Sequence, residues 1–359
     1  MKKIVLTIMA VAAMTACSKS GVQYETAAEI TFAPAAKNIT KAAHGDISQK
    51  GTYPTEQKLG VFANYGSDAP SANAVVANYT TKFLENVLFS HNGTAWGAGE
   101  SWPANGSLIF AGYAIPEGGA INGNGTYEYD FASDELTIEG YTQSNVPAES
   151  FDLGWFNRTS ASYNYRNSAS TAVPVTLSHA LAWVEIQVKG EGTTVGTKPW
   201  RILSLVMNNV YNMGNAVCTG SGAGKAEWKS LSNTVGADGK EENAITIYSG
   251  TQQLTENAKV CETDGTDVLV IPQTPTEVLT NKALDVEKSV ATLTVTYTYD
   301  SPAGDSMPLQ TTTVPLVVDG GWKSGYKYVY TLSFKANEIL VAPSYNTWAD
   351  GGNKNVIVE

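Results

Sequence analysis

Apolar residues that recur at every second position are the feature that most constrains how this chain folds. In the segment 290–299, Val295, Tyr297 and Tyr299 alternate with threonines. A period of two places neighbouring side chains on opposite faces of a β-strand. Further strand-like runs lie at residues 28–32, 59–65, 108–113, 126–131, 172–177, 180–188, 202–206, 268–271, 311–318 and 326–334. Helical periodicity is weak and is confined to residues 74–83, so the pattern predicts an all-β protein.

Turns rich in Gly and Asn separate these short strands, as at residues 122–125. Many short strands with such turns are typical of β-sandwiches. The length of 359 residues favours about two domains. The best boundary is a change of composition at residues 158–171, where aliphatic side chains become rare. We therefore expect two tandem β-sandwich domains, an N-terminal one over residues 42–168 and a C-terminal one over residues 169–359.

The charged and titratable residues argue against several classes of function. Charged residues make up 16% of the chain, against roughly 25% in an ordinary soluble domain. No cluster of Lys or Arg could bind phosphates, which excludes nucleic acid as a partner. The three histidines, His44, His91 and His179, lack the spacing of a metal site, and His179 is expected to be a hydrogen-bonded structural residue. We expect no metal, no cofactor and no enzymatic activity.

The first residues have the pattern of an export signal. Lys2 and Lys3 precede an apolar stretch at residues 4–16, which is too short to span a membrane. The stretch ends in small residues before Cys17, a pattern that resembles the lipobox of bacterial lipoproteins. On this interpretation the signal peptide, residues 1–16, is removed, and several acyl chains on Cys17 anchor the protein. An ordinary signal peptide with a coincidental cysteine is the alternative.

Two further cysteines, Cys218 and Cys261, leave two possibilities open. An even pair of cysteines in an exported chain can form a disulfide. Each cysteine is also flanked by strand-like residues, so the two can equally be buried thiols on separate strands. The choice depends on the distance between them, which the sequence does not contain.

Five segments carry a resemblance to a known family. Residues 100–116 (ESWPANGSLIFAGYAIP) look like the WP-x-x-G-x-L-x-F-x-A-Y-x-P pattern of the fimbrillins, the type V pilin subunits of Bacteroidales. Similar segments follow in family order at 175–184 (VTLSHALAWV), 268–273 (VLVIPQ), 321–332 (GWKSGYKYVYTL) and the ending 337–339 (NEI) with 346–348 (NTW). Trp183 stands where the family commonly has Lys. Each motif is weak alone, but their shared order makes the resemblance specific.

The resemblance implies a fold and a way of assembling. Fimbrillins are lipoproteins of the cell outer membrane with two Greek-key β-sandwiches of the transthyretin-like or immunoglobulin-like kind. A surface protease removes the N-terminal segment with its first strand, and the vacated groove accepts a strand from the next subunit. This chain is then expected to polymerise with other fimbrillin subunits into a surface-exposed fimbrium. The polymer supports cell adhesion through a host or bacterial surface ligand.

Both ends of the chain contain candidate exchange strands. Residues 17–41 form the lipidated N-terminal segment, and its strand at 28–33 is the candidate leaving strand, with Ile30 and Phe32 facing inward. The candidate donor strand is the C-terminal run of Val356, Ile357 and Val358. Residues 339–341 are a further candidate donor. Either end can instead form an ordinary terminal strand that completes its own sheet.

The processing site departs from the family pattern. The best-known fimbrillins are cut after Arg, but the first Arg of this chain is Arg158. The site aligned by context is Lys41, followed by Ala42, which requires a trypsin-like or Lys-tolerant protease. If the segment is never removed, the protein is better suited to be a fimbrial anchor, a capped tip or a surface lipoprotein that binds a glycan or host ligand. The eight tryptophans can line such a binding platform or pack in the core.

A short motif near the C-terminal third suggests a modification. Asp305, Ser306 and Met307 resemble the O-glycosylation site of exported Bacteroidales proteins. They lie in an expected hairpin loop, where a glycosyltransferase has access, so Ser306 is a candidate glycosylation site. A pattern of three residues also occurs by chance.

Overall fold

The structure is a computed structural model. It describes residues 24–36, 58–115, 125–150, 152–164, 172–195, 199–221, 223–237, 239, 242–263, 268–273, 291–299, 308–318, 320–335, 338–347 and 356–357. Over these residues the chain forms 21 β-strands and three one-turn 3₁₀-helices, with no α-helix. The predicted all-β class is thereby confirmed. Within the same ranges no helix is long and apolar enough to cross a bilayer.

The strands follow the alternating pattern of the sequence. In chain order they are β1 (Tyr24–Ala36), β2 (Lys58–Gly66), β3 (Thr81–His91), β4 (Trp96–Pro103), β5 (Ser107–Ile115), β6 (Thr126–Asp130), β7 (Glu135–Thr142), β8 (Gly154–Phe156), β9 (Val173–His179), β10 (Ala182–Gly190), β11 (Arg201–Asn208), β12 (Met213–Thr219), β13 (Ala226–Ser232), β14 (Ala244–Gln253), β15 (Lys259–Val260), β16 (Val268–Val270), β17 (Thr292–Thr298), β18 (Gln310–Pro315), β19 (Tyr326–Lys335), β20 (Glu338–Thr347) and β21 (Val356–Ile357). In β17, Leu293 and Val295 are fully buried, whereas Thr294 and Thr296 are partly exposed on the other face. Alternation therefore sets both the conformation and the buried face.

Seven strands form a closed barrel in the order β1-β4-β3-β2-β5-β8-β9. β1 lies antiparallel beside β4 and parallel beside β9, so it supplies the contacts that close the ring. Closure removes the free edges that an open sheet would expose. The strand nearest the N-terminus thus covers the edges of both β4 and β9.

Three further sheets make up the rest of the described chain. The largest has the order β15-β10-β19-β20-β21, with β16 also paired to β10. A second has the order β14-β11-β17-β18, and a third the order β13-β12-β7-β6. In this third sheet β7 pairs with β12, so it joins strands from both sides of the boundary expected at residue 168. The division into two sandwich domains stays a prediction.

The buried side chains fall into three clusters. The barrel cluster lies inside the ring and is rich in aromatic residues; it contains Ile30, Phe32, Phe83, Phe89, Trp96, Trp102, Phe110 and Phe156. A middle cluster joins the outer side of β5 to the β13-β12-β7-β6 sheet, and includes Tyr113, Ile138 and Trp183. The third, or C-terminal, cluster lies between the β15-β10-β19-β20-β21 sheet and the β14-β11-β17-β18 sheet. β1 contributes to the barrel cluster alone.

The residue that departs from the family motif, Trp183, has a compensating partner. In the parallel pair of β10 and β19 it stands opposite Lys327. The Lys327 ammonium lies 3.6 Å from the centroid of the Trp183 ring and 2.7 Å from Oε2 of Glu185. A cation over an indole face is a favourable contact. A lysine from the neighbouring strand thus brings a positive charge next to position 183.

Of the two possibilities for Cys218 and Cys261, the structure shows the separate buried thiols and not the disulfide. Cys218 and Cys261 are both free, buried thiols. Cys218 packs in the middle cluster, whereas Cys261 packs in the C-terminal cluster. Burial raises the pKa of the Cys261 thiol to about 12 and raises that of Cys218 further. Both cysteines therefore act as small apolar core residues.

Gly106, in the WP-x-x-G motif, is expected to resist substitution more than Gly99. Both have positive φ, +69° and +73°. A Cβ on Gly106 would lie 2.3 Å from the carbonyl oxygen of Gly66, whereas a Cβ on Gly99 meets nothing within 4 Å. Gly99→Ala should cost only the left-handed backbone penalty of about 1–2 kcal/mol. Gly106→Ala should add about 1–3 kcal/mol of overpacking. Urea denaturation of both variants measures the difference, and equal losses would contradict the steric argument.

Candidate strand-exchange site

The candidate leaving strand is β1, and its two halves have different neighbours. Residues Tyr24 to Phe32 pair with β4, and Phe32 to Ala36 pair with β9. Phe32 belongs to both ladders, opposite Trp96 on one side and Val173 on the other. Without β1, the edges of β4 and β9 would face each other across an open slot.

The side chains of β1 alternate between the barrel interior and its surface. Ile30 and Phe32 are both 0% exposed, and Pro34 is also buried. Glu29 and Ala33 are exposed on the outside. The structure therefore places the two residues singled out in the sequence inside the barrel. Removing β1 would uncover an apolar groove along the barrel wall.

Aromatic rings surround Phe32. Its ring makes edge-to-face contacts with Phe89 and Phe110, at centroid distances of 5.0 and 5.1 Å. The ring of Phe156 lies at 6.5 Å. Edge-to-face pairs of this kind add to the free energy gained from burial. The pocket for Phe32 is thus the best-defined subsite of the groove.

Polar contacts fix β1 at the position of Glu29. The amide of Gly99 donates a hydrogen bond to Oε1 of Glu29 at 2.9 Å. The indole of Trp102 donates to the carbonyl oxygen of Glu29 at 3.1 Å. The ladder between β1 and β4 is irregular on both sides of this residue. Specific contacts at an irregularity oppose slippage of the strand register.

The C-terminal candidate strands lie at one edge of the β15-β10-β19-β20-β21 sheet. β20 pairs with β19 along its whole length. β21 pairs with β20 at only two positions, Ser344 with Ile357 and Tyr345 with Val356. Val358 lies outside the described residues. The C-terminal tail is therefore held by few backbone contacts where the structure describes it.

β20 is only partly buried. Ile339, Val341 and Tyr345 pack against the C-terminal cluster as half-buried residues. Leu340 on the other face is 45% exposed. The apolar face of β20 is thus less buried than that of β1, whose Ile30 and Phe32 are fully covered.

Several predicted modification sites lie outside the described residues, namely Cys17, Lys41 and Ser306. The position of Lys41 in the chain is still informative, because it lies between the end of β1 at Ala36 and the start of β2 at Lys58. A cut after Lys41 would leave β1 attached to the barrel by non-covalent contacts alone.

A buried polar pair next to the groove includes a residue that the sequence did not single out. His179 ends β9, and its Nδ1 lies 2.6 Å from Oδ2 of Asp152. Both side chains are buried. The amide of Ala180 donates to the carbonyl oxygen of Leu153, next to Asp152. Asp152 carries no local signal in the sequence, since only the fold brings it to His179.

The described residues offer little support for a tryptophan platform. Trp96, Trp102, Trp155, Trp183 and Trp322 are buried. Trp200 and Trp228 are half-buried, and no tryptophan in the described part of the chain is exposed. An open cleft of about 640 Å³ between β2, β3 and β6 has aromatic residues in its lining, but Phe62, Tyr79 and Tyr127 are core residues. The tryptophans of the described residues therefore serve mainly to pack the core.

Comparison with known proteins relates this fold to others. A family model described as fimbrillin-like matches residues 40–348. A fimbrial protein from Bacteroides vulgatus is 18% identical and superposes with a TM-score of 0.51, over 89% of this chain and 99% of that one. The tip fimbrial protein Mfa3 from Porphyromonas gingivalis, with a C-terminal truncation, is 10% identical with a TM-score of 0.35, over 89% and 100% of the two chains. No curated protein matches the chain.

Proposed function

The chain belongs to the fimbrillin-like family, and we propose that it is a structural subunit of a type V fimbria that polymerises by strand exchange. As a fimbrillin it is a fimbrial, cell-adhesion protein of the cell surface and not an enzyme, and it associates with other fimbrial subunits. The finer steps of the proposal are export as a lipoprotein anchored to the outer membrane, removal of β1, and its replacement by a strand from another subunit.

The observation that carries the proposal is that β1 closes the barrel. Its inward side chains Ile30 and Phe32 are fully buried, and each contributes about 1.5–3 kcal/mol. Each ladder hydrogen bond adds about 0.5–1.5 kcal/mol net. The sum is comparable with the stability of a whole domain, about 5–15 kcal/mol. A barrel without β1 is therefore a strong binding site for a replacement strand.

The two exchange elements explain why assembly continues. The groove lies in the barrel, whereas the candidate donor lies at the edge of a different sheet. A contact between two different surfaces of identical subunits is heterologous, and it produces an open filament when it does not close into a ring. Each added subunit then presents a new donor or a new groove.

The absence of Arg before Arg158 favours a second candidate function. If no protease accepts Lys41, β1 stays in place and the groove never opens. Such a chain can still donate its own C-terminal strand but cannot accept one. It would then be a fimbrial anchor or tip, or a surface lipoprotein that does not polymerise.

Replacing Lys41 with glutamine is expected to abolish polymerisation. Wild-type protein extracted from cells should begin at Ala42 and give an SDS-resistant ladder, because strand exchange needs a free groove. The K41Q chain should stay monomeric and keep its N-terminal segment. Lys37→Gln and Lys50→Gln, in the same connection, are the matched controls and should polymerise. N-terminal sequencing and gel electrophoresis measure both properties.

One result would contradict polymerisation by strand exchange. If wild-type cells hold only full-length monomer that begins at acylated Cys17, the subunit does not exchange its strand. The anchor or surface-lipoprotein function would then stand. If K41Q polymerises as well as the wild type, cleavage occurs elsewhere or is not required.

Acylation of Cys17 is tested separately. Cys17→Ser is expected to remove all incorporated palmitate and to release the protein from the membrane fraction, since the two other cysteines, Cys218 and Cys261, are buried. Radiolabelled palmitate and fractionation measure the two effects. Label that persists in the variant would contradict the lipobox interpretation. O-glycosylation of Ser306 remains a proposal of the same kind.

A further inference from the structure

We infer that the donor is β20 rather than the extreme C-terminal tail, and that it enters the groove with residues 338–343 in the places of residues 29–34. This inference rests on the proposed strand exchange and adds the identity and the register of the donor. The two segments read EILVAP and EITFAP. They are identical at Glu, Ile, Ala and Pro, so one strand carries a near copy of the other.

The shared proline is the most informative position. Pro34 is buried in β1 and pairs with Val175 of β9. Proline has no amide hydrogen and is unusual inside a sheet. A groove shaped around Pro34 needs no backbone N–H group at that position, and Pro343 also lacks one. The terminal run of Val356, Ile357 and Val358 contains no proline.

The two strands also bury the same face. In β1 the inward residues are Ile30, Phe32 and Pro34. In β20 the corresponding Ile339, Val341 and Pro343 are all half-buried, whereas Leu340 and Ala342 are exposed. With a period of two, matching the sequence in this register also matches the buried face. A shift by one residue would place exposed Leu340 inside the barrel.

Transfer into the groove increases the burial of the donor. Ile339 and Val341 are half-buried in the free subunit, but the residues that they would replace are fully buried. In its own sheet β20 has β19 on one side and only two paired residues of β21 on the other. In the groove it would lie between β4 and β9. Burial of its apolar side chains therefore favours exchange, while the backbone pairing with β19 that the strand gives up is replaced by pairing with β4 and β9.

Glu338 would set the register. Glu29 accepts the amide hydrogen of Gly99 and marks the irregular part of the β1–β4 ladder. Glu338 stands at the same place in the copied sequence, immediately before the shared Ile. A carboxylate there can accept the same hydrogen bond. A hydrogen bond from the Gly99 amide of one subunit to the Glu338 carboxylate of another would thus favour this register over neighbouring ones.

Disulfide crosslinking between subunits tests the register. In β1, Ala33 pairs with Pro174 of β9, and both residues are exposed. Ala342 takes the place of Ala33 in the inferred register, so Ala342→Cys with Pro174→Cys should crosslink. Paired strands lie about 4.8 Å apart, within disulfide range. In its own chain Ala342 pairs with Thr331 of β19, so a crosslink reports contact between subunits.

Two matched variants complete the experiment. Each is expressed as the full chain in cells, which process it at their surface. Leu340→Cys with Pro174→Cys is out of register by two residues, which separates the Cα atoms by about 8 Å, beyond disulfide reach. We expect at least tenfold less crosslinked ladder from this pair than from A342C with P174C. Val356→Cys with Pro174→Cys tests the tail as the donor. The native Cys218 and Cys261 are buried and do not interfere.

The outcomes separate the register from the function. If SDS-resistant ladders form and the V356C pair crosslinks in preference to the A342C pair, the inferred donor is wrong. If the L340C pair does so, β20 is the donor but the inferred register is wrong. Strand exchange stands in both cases. If none of the chains, including the parent, forms a ladder, both proposals fall.

A second measurement uses the one inward position that differs. Val341→Phe restores the ring found at Phe32 and should raise the temperature at which polymers dissociate in SDS. Leu340→Phe, on the outer face, should not. Equal effects of the two substitutions would contradict the inferred register.

Discussion

Phe32→Ala is expected to lower the free energy of unfolding of the full-length chain by about 3–5 kcal/mol, the usual cost of removing a buried phenylalanine ring. The side chain is 0% exposed and contacts Phe89 and Phe110 edge to face. Its loss leaves a cavity in the barrel cluster at the point where β1 touches both neighbouring strands. Urea denaturation followed by tryptophan fluorescence measures the effect.

The same substitution should leave the mature polymer unchanged, because processing removes β1. Thr31→Ala is the control within the strand, since Thr31 is only partly buried, and it should cost far less. If Phe32→Ala fails to fold, Phe32→Val gives a smaller cavity and the same test. A polymer that is weakened as much as the precursor would contradict the removal of β1.

Asp152→Ala is expected to destabilise the protein by about 3–5 kcal/mol, the cost of breaking a buried ionic or polar pair by removing one partner. Oδ2 of Asp152 lies 2.6 Å from Nδ1 of His179, and both side chains are buried. The alanine leaves the imidazole without its carboxylate in a setting that water does not reach. Chemical denaturation of the two proteins measures the loss.

A double-mutant cycle shows whether the pair itself is responsible. His179→Ala should cost a similar amount, and the double variant should lose much less than the sum of the single losses. Asp152→Asn keeps an acceptor oxygen and should lose less than Asp152→Ala. Additive losses would mean that the two residues stabilise the fold independently.

The strands are largely predictable from the sequence because their signal is local. The alternation at residues 290–299 corresponds to β17 (Thr292–Thr298), and the run at 180–188 corresponds to β10 (Ala182–Gly190). The weak helical pattern at 74–83 was misleading. There the chain forms one 3₁₀ turn, Val76–Asn78, followed by β3. A few residues of helical spacing do not outweigh pairing with β2.

Contacts between distant residues were much less predictable. The sequence allowed a disulfide between Cys218 and Cys261, but the two side chains pack in different clusters. It marked His179 as structural without revealing Asp152 as its partner. Neither relation leaves a trace in the neighbouring residues, because each depends on how strands from distant parts of the chain are arranged.

The sequence by itself determined the β-strands, the inward residues of β1 and the resemblance to the fimbrillins, since alternation and motifs are properties of short segments. Only the tertiary structure decided that β1 closes a barrel between β4 and β9, and that β7 and β12 share a sheet. Strand order and register follow from the burial of many side chains at once. The likeness of residues 29–34 and 338–343 could be read from the sequence alone, but it suggests a function only when β1 is known to fill a groove.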